Sequence, residues 1–316
     1  MKKIIAAALA LMLALSSGSV HAQQKKLNIV CTTFPSYDWM RSILGDRLDA
    51  VELTLLQDSG ADLHNFQPTA QDFIKISSAD MMVYIGGPAD AWVEDAVKEA
   101  RNKDMVTINL LKALGEDILM DVVKDDHEHD DHDGHVHSHE DEHIWLSLRN
   151  AQKLSRVMAT ALALLDAEHA DTYLANQQAY AARLDKLDRQ YREAVDAARH
   201  KTLLFGDRFP FRYLAEDYGL TYFAAFSGCS AETEASFETV AFLANKADEL
   251  NLPAILVLDG SDGKIAKAVL GASRNKSRPL IVLDSMQTVD SQMVRDGTTY
   301  LGIMEKNLES LKEALK

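Results

Sequence analysis

Cysteine is nearly absent: 316 residues carry only Cys31 and Cys229. Two thiols cannot staple a small scaffold, and a chain this long needs no staple to bury a core. In an oxidising compartment the two either bridge or sit as small buried side chains. Positive charge is also short, with 33 Lys and Arg against 48 Asp and Glu, a net charge of −15 with His neutral. That balance argues against nucleic acid or anionic lipid as a partner and favours cations. No phosphate-cradling GxxxxGK[ST] pattern occurs, and no helix-forming stretch carries the HExxH of the zinc hydrolases, the one literal match, His139–His143, lying inside an acidic His-rich tract. Glycine and proline vanish between Asn150 and about Arg199, so nothing there punctuates a long helix.

The N-terminus has the pattern of a processing signal. Lys2 and Lys3 precede an apolar stretch, Ile4–Leu15, and a small-residue stretch, Ser16–Ala22, ending Val-His-Ala. The apolar part is shorter than the roughly 20 residues that span a bilayer. Residues 1–22 are therefore expected to be a signal peptide cleaved after Ala22. No Cys adjoins that point, so the mature chain is expected free in the periplasm, without a lipid anchor.

What the chain has in excess is histidine in one place. Seven of the eleven histidines lie between Asp125 and His143, in DDHEHDDHDGHVHSHEDEH. No packed core buries that density of charge and imidazole, so the stretch reads as a solvated loop. Acidic loops are ordinarily built from Asp, Glu, Ser and Gly; alternating His points instead to metal collection, since neutral imidazole is the commonest protein ligand for Zn²⁺.

Around this tract, strand and helix patterns alternate. Leu27–Phe34, Ala50–Leu56, Met81–Gly87 and Met105–Leu110 read as strands, with helices at Tyr37–Leu44, Phe73–Ser78 and Ala91–Arg101. In the second half, strands are expected at Thr202–Gly206, Leu220–Phe226, Ala254–Gly260 and Pro279–Ser285. The helices between and after them are Phe211–Tyr218, Phe237–Leu250, Lys264–Leu270 and Tyr300–Leu315. Such alternation gives parallel βαβ units covered on both faces. Between the halves, Leu174, Tyr180, Leu184, Leu187, Tyr191 and Val195 follow helical spacing. That stretch is one helix of roughly 50 Å or more, or two broken near Glu168–Asp171. It reads as an interdomain spine rather than a coiled-coil arm, because the repeat covers few heptads and lacks systematic flanking charges. The expected fold is α/β, two lobes with parallel sheets joined by one long rigid helix. The lobes are 23–149, including the His-rich loop 125–142, and 201–316, with the spine at 150–200.

Three residues fall where ligands of open α/β sheets bind, beyond the carboxyl ends of strands. His64 follows the second strand in DLHNFQPTA. His143 ends the tract against Ile144-Trp145-Leu146, a packed context that can hold an imidazole still. Asp284 ends PLIVLD. Taken singly each has a plainer reading, as a satisfied His or an Asp that caps the next helix.

Together, the leader, DLHNFQPTA, the His-rich insertion closing on DEHIWL, the spine, RFPFRYLAEDYGL (Arg208–Leu220) and the final VLDS resemble the zinc/manganese receptors of bacterial ABC importers, zinc branch. The resemblance covers essentially the whole mature chain. It implies a metal at the lobe interface, held by three His, or two His and a carboxylate, plus an Asp or Glu. By position, His64, His143 and Asp284 match three of those ligands. The remaining position, normally His, falls on Arg208, whose guanidinium offers no lone pair. The site is then three-coordinate plus water, completed by a neighbour such as Glu234, Glu232 or Asp207, or moved. Glu234, in GCSAETEAS, is the favoured replacement ligand or partner for Arg208, with Asp284 as the second candidate partner.

The function this implies is a periplasmic receptor that delivers Zn²⁺ to the permease of an ABC importer at the inner membrane, a monomer without enzymatic turnover. The alternatives are a zinc-dependent hydrolase, since an open position on zinc activates water, and a periplasmic zinc buffer or chaperone working through the tract alone. Zinc is favoured over manganese because imidazole suits Zn while Mn prefers oxygen.

Overall fold

The computed structural model describes residues 26–60, 62–121, 139–228 and 234–316. The leader 1–22, residues 125–138 of the His-rich tract, Cys229 and Glu232 lie outside the described residues.

The first lobe runs β1 (Leu27–Cys31), α1 (Phe34–Leu44), β2 (Val51–Leu55), α2 (Ala70–Ser77), β3 (Met81–Tyr84), α3 (Ala91–Lys98), β4 (Val106–Asn109) and the short α4 (Leu110–Leu114). Its strands are parallel in the order β2-β1-β3-β4. Ile29, Val30, Cys31 and the whole of β3 are buried, as expected for a parallel sheet covered on both faces. The first strand stops at Cys31 rather than Phe34, because Pro35 opens α1, where a missing N–H costs nothing. Cys31 is a free thiol, pushed up to about 12 by burial. A two-residue antiparallel pair, β5 (Met120–Asp121) with β6 (His139–Glu140), brackets the His-rich tract.

The spine is two helices, α5 (Leu148–Leu165) and α6 (Ala170–Ala197), separated by a 3₁₀ turn at Ala167–His169. The break falls where the second of the two sequence readings put it. Asp166 fixes the turn, accepting from Tyr173 Oη at 2.6 Å and pairing with His169 Nδ1 at 3.0 Å. The 28 residues of α6 span about 42 Å. Its buried stripe is Tyr173, Gln177, Tyr180, Leu184, Leu187, Tyr191 and Val195. Leu174 lies about 100° off that stripe and is 42% exposed, so the apolar face begins at Tyr173 instead.

After the spine come β7 (Thr202–Phe209), α7 (Arg212–Tyr218), β8 (Thr221–Ser227), α8 (Phe237–Glu249), β9 (Ile255–Leu258), α9 (Lys264–Ala272), β10 (Leu280–Leu283), α10 (Ser291–Arg295) and α11 (Tyr300–Ala314). The second sheet is parallel in the order β10-β9-β7-β8. Strand β7 continues past Gly206, because a register shift between Phe205 and Arg208 lets it resume pairing with β8. That continuation carries Arg208 to the end of the sheet where strand order reverses, between β7 and β9.

The largest core runs through both lobes, and each lobe adds a smaller cluster of its own. A single buried cluster includes Ile29 and Trp39 of the first lobe, Met158, Tyr180 and Tyr191 of the spine, and Leu283 and Tyr300 of the second. Asn176 of α6 donates to Ile43 O at 3.0 Å, and Tyr191 Oη to Met304 O at 2.6 Å. The apolar face of α6 is used within the chain, which leaves no seam for a coiled-coil partner.

Gly206 is the tightest point of the second lobe: a Cβ there would lie 2.3 Å from Ala266 Cα, in the backbone of α9. Gly206→Ala is expected to force α9 off the sheet and cost about 1–3 kcal/mol, read as a lower urea midpoint. An unchanged midpoint would show that α9 is not seated on β7.

Candidate metal site

His64 stands in a 3₁₀ turn, Leu63–Asn65, between β2 and α2. Asp62 caps this turn, its carboxylate accepting from His64 N at 3.0 Å. Downstream, Thr69 and Asp72 form a reciprocal capping box at the start of α2. The sequence His-x-x-x-Pro-Thr therefore reads structurally as two caps that fix both ends of the loop. The His64 side chain is 18% exposed, partly open to the cleft.

His143 is fully buried. Asp141 Oδ1 accepts from its backbone N at 2.9 Å and lies 2.8 Å from its Nδ1. A carboxylate at that distance keeps the proton on Nδ1 and the lone pair on Nε2, the arrangement of metal-binding histidines. The segment is anchored to the second lobe on both sides. Tyr213 Oη accepts from Leu119 N at 3.0 Å and donates to Asp141 O at 2.9 Å. Trp145 Nε1 donates to Ser285 O at 2.9 Å, and Tyr300 Oη donates to Trp145 O at 2.6 Å. Gly228 allows the approach: a Cβ there would meet Phe209 O at 2.8 Å and His143 Cε1 at 3.2 Å.

These two histidines, 79 residues apart, meet Nε2 to Nε2 at 3.4 Å with ring planes 62° apart. Behind His64, Glu142 Oε2 lies 3.4 Å from Nδ1, while its Oε1 accepts from Ala89 N at 2.7 Å. Glu142 reaches this position because Gly87, at φ +74°, has no side chain; a Cβ would sit 2.5 Å from Oε1. Burial, then the repulsion of His143 were it charged, pushes the His64 imidazole down to about 4. Burial raises the Glu142 carboxyl to about 7. Both groups are thereby driven toward their neutral forms.

Next to the His64 turn, Asp62 and Asn65 line a cleft of about 470 Å³ whose other walls, from the second lobe, include Asp207, Arg208, Glu234, Asp259 and Gln287; His64, His143 and Asp284 are not among its lining residues. Arg208 does not pair with Glu234 or Asp284 as expected. Its Nη2 donates to Asp62 Oδ2 at 2.6 Å, because β7 carries it straight across to the cap of the His64 turn. Gln287 Nε2 donates to the other Asp62 oxygen at 3.3 Å. Burial pushes Asp62 up, but the bonds from Arg208 and His64 N outweigh it and hold the carboxyl below its usual range.

Asp284 follows β10 as the sequence implied, and its Oδ1 accepts from Met286 N at 2.7 Å. Burial and the neighbouring Asp259 push it up to about 6. Asp259 is itself held by Ser285 and Thr288. Glu234 is exposed on the cleft wall. The structure thus brings His64 and His143 together and leaves Asp284 and Glu234 apart from them. Among the described residues no third His, Cys, Asp or Glu completes a ready-made cluster. Sequence reasoning missed Asp62, Asp141 and Glu142; Asp62–His64 and Asp141–His143 share an Asp-x-His pattern, but it recurs at Asp125, Asp130 and Asp133 and so singles out neither.

A family model described as zinc-uptake complex component A, periplasmic, matches residues 29–314. The high-affinity zinc uptake system protein ZnuA of Bacillus subtilis (strain 168) is 30% identical over 301 residues, covering 95% of this chain and 91% of that protein. The zinc-binding lipoprotein AdcA of Streptococcus pneumoniae strain R6 is 30% identical over 317 residues; the match covers 99% of this chain but only 61% of that longer protein. The Zn(II)-bound ZnuA-like domain of S. pneumoniae AdcA superposes with a TM-score of 0.71 at 28% identity, over 92% of this chain and 99% of the domain.

The His64 environment sets a pH dependence. A folded value near 4, below the unfolded value of about 6.5, means the unfolded chain binds the extra proton. Stability from this group is present above about pH 6.5 and is lost as pH falls toward 4. Glu142 and Asp284, both raised, act in the opposite sense as they protonate. His64→Gln removes only the first effect. In chelator, its urea midpoint is expected to fall less between pH 7 and pH 5 than that of the wild type; equal slopes would contradict the buried neutral imidazole.

Proposed function

The chain belongs to the zinc-uptake complex component A family, and from that premise we propose how its site takes and yields the ion. It is a zinc-binding receptor serving an ABC-type importer, and it works outside the cytoplasm. The finer reading is that it is periplasmic, acts as a monomer, and hands Zn²⁺ to a permease without turning anything over.

One observation carries this reading: the two Nε2 atoms face each other at 3.4 Å. Two nitrogens each about 2.0–2.1 Å from a tetrahedral zinc lie about 3.3–3.4 Å apart. Without an ion, the contact is satisfied by one proton, His64 Nε2–H donating to His143 Nε2. With zinc between them, His64 takes its other tautomer and turns its Nδ1–H toward Glu142. In that exchange the Nε2 proton leaves to solvent and Nδ1 takes one from solvent or from Glu142, so the imidazole is neutral in both end states. Asp141 and Glu142 orient the two rings from behind, and such supporting carboxylates raise ligand basicity.

His64 and His143 are proposed as the two imidazole ligands. Asp284, and then Glu234, are proposed to complete the shell from the second lobe by turning toward the ion, Asp284 leaving Asp259 to do so. The His-rich tract is proposed to collect ions at the surface. Imidazole and carboxylate together favour Zn²⁺ over Mn²⁺.

Competition against a chromophoric chelator tests the assignment. Wild type is expected to bind Zn²⁺ more tightly than Mn²⁺, and deletion of Asp126–His139 to lower stoichiometry while keeping one tight site. His64→Ala is expected to weaken that site at least a hundredfold and Asp284→Asn about tenfold, with Glu234→Gln smaller. Tight binding that survives His64→Ala, or is lost with the tract, would overturn it.

A further inference from the structure

Arg208 occupies the position where the family resemblance places an imidazole ligand. It is one carboxylate away from a proposed ligand. Its Nη2 bonds Asp62 Oδ2 at 2.6 Å, and the other Asp62 oxygen accepts from the His64 amide at 3.0 Å. Both side chains are mostly buried, 22% and 15% exposed, so solvent screens this charge only partly. An arginine side chain is a planar cation with no lone pair to offer a metal. It comes from β7 of the second lobe, whereas Asp62 and His64 belong to the first.

We propose that Arg208 is an affinity-setting residue: a resident cation that neutralises Asp62 and so keeps the zinc site weak enough to surrender its ion. The inference rests on the assignment of zinc to the His64–His143 pair. The physical argument is one of charge. An incoming dication enters beside a fixed positive charge, and the carboxylate that caps the His64 turn is already spent on that charge. A third imidazole would have added a ligand at this position; the guanidinium adds repulsion instead. Two opposed charges held at hydrogen-bond distance also present the ion with little net attraction, where Asp62 alone would present a full negative charge.

The role makes a specific demand on variants. Arg208→Gln leaves Asp62 unpaired next to the site, and Zn²⁺ should bind at least tenfold more tightly and dissociate more slowly. Arg208→Lys keeps the charge but loses the planar fork, and should stay within about threefold of wild type. Asp62→Asn with Arg208→Gln removes both charges and should return the affinity close to that of wild type. A residue that merely braced the fold would show none of this pattern, since both Lys and Gln would loosen the site.

The experiment is chelator competition with Zn²⁺ on the full mature protein for wild type and the three variants, with far-UV circular dichroism to show that each folds. Tightening in Arg208→Gln, its absence in Arg208→Lys and its reversal in the double variant support the proposal. Unchanged or weaker binding in Arg208→Gln overturns it, as does equal tightening in Arg208→Lys. Should Arg208→Gln fail to fold, the double variant and Arg208→Lys decide: a tenfold change of affinity in either one contradicts a charge role. Failure of the zinc assignment itself looks different, because wild-type binding would then be indifferent to His64→Ala whatever stands at position 208.

Discussion

The bond between Asp141 and His143 is the constraint from which the rest of the site follows. Dry and 2.8 Å long, it decides which nitrogen of His143 keeps a lone pair and where that lone pair points. A buried carboxylate needs compensation, and the chain supplies it locally, the backbone N of His143 donating to the same oxygen. Tyr213 and Trp145 then fasten this short segment to the second lobe. The proposed ligand His143 is therefore held by both lobes, whereas His64, also a proposed ligand, stands on a first-lobe turn and is the partly open one.

That division suits a receptor. On the proposed assignment, the buried His143 is preorganised and loses little on binding, while the partly open His64, on a capped turn, is the side from which an ion would enter and leave. The shared core through α5 and α6 makes the two lobes one packed body, and packed cores resist continuous deformation. Changes on binding are then expected to be local: tautomers, the Asp62–Arg208 pair, and carboxylates of the second lobe. Burial that keeps the His64 imidazole neutral serves the same end, since a ligand must be unprotonated to bind.

Much of the fold was legible because parallel strands are short continuous apolar runs, and those runs were plain in Met81–Tyr84 and Ile255–Leu258. The spine was legible from its missing glycine and proline. What escaped were features decided by tertiary contact. Leu174 and Tyr173 are equally plausible core residues in sequence, and only the phase of packing against the lobes selects Tyr173. The extension of β7 past Gly206 depends on a register shift with β8. That His64 and His143 stand out was legible from their strand-end and apolar contexts, and the fold brings the two rings together. Arg208 was legible as an anomaly, but its partner was not, because Asp62 lies 146 positions away and looks like one more loop acid. Asp141 and Glu142 were hidden by their neighbours: within an acidic, His-rich tract, nothing marks the two carboxylates that fold inward.

The central claim is that one zinc ion sits between His64 Nε2 and His143 Nε2. Zinc K-edge X-ray absorption on the one-to-one complex, with the tract 126–139 deleted, addresses it directly. The expected spectrum has two imidazole nitrogens at about 2.0–2.1 Å with oxygen ligands beside them, and His64→Ala reduces the imidazole count by one. A spectrum with no imidazole scattering, or one left unchanged by His64→Ala, would contradict it.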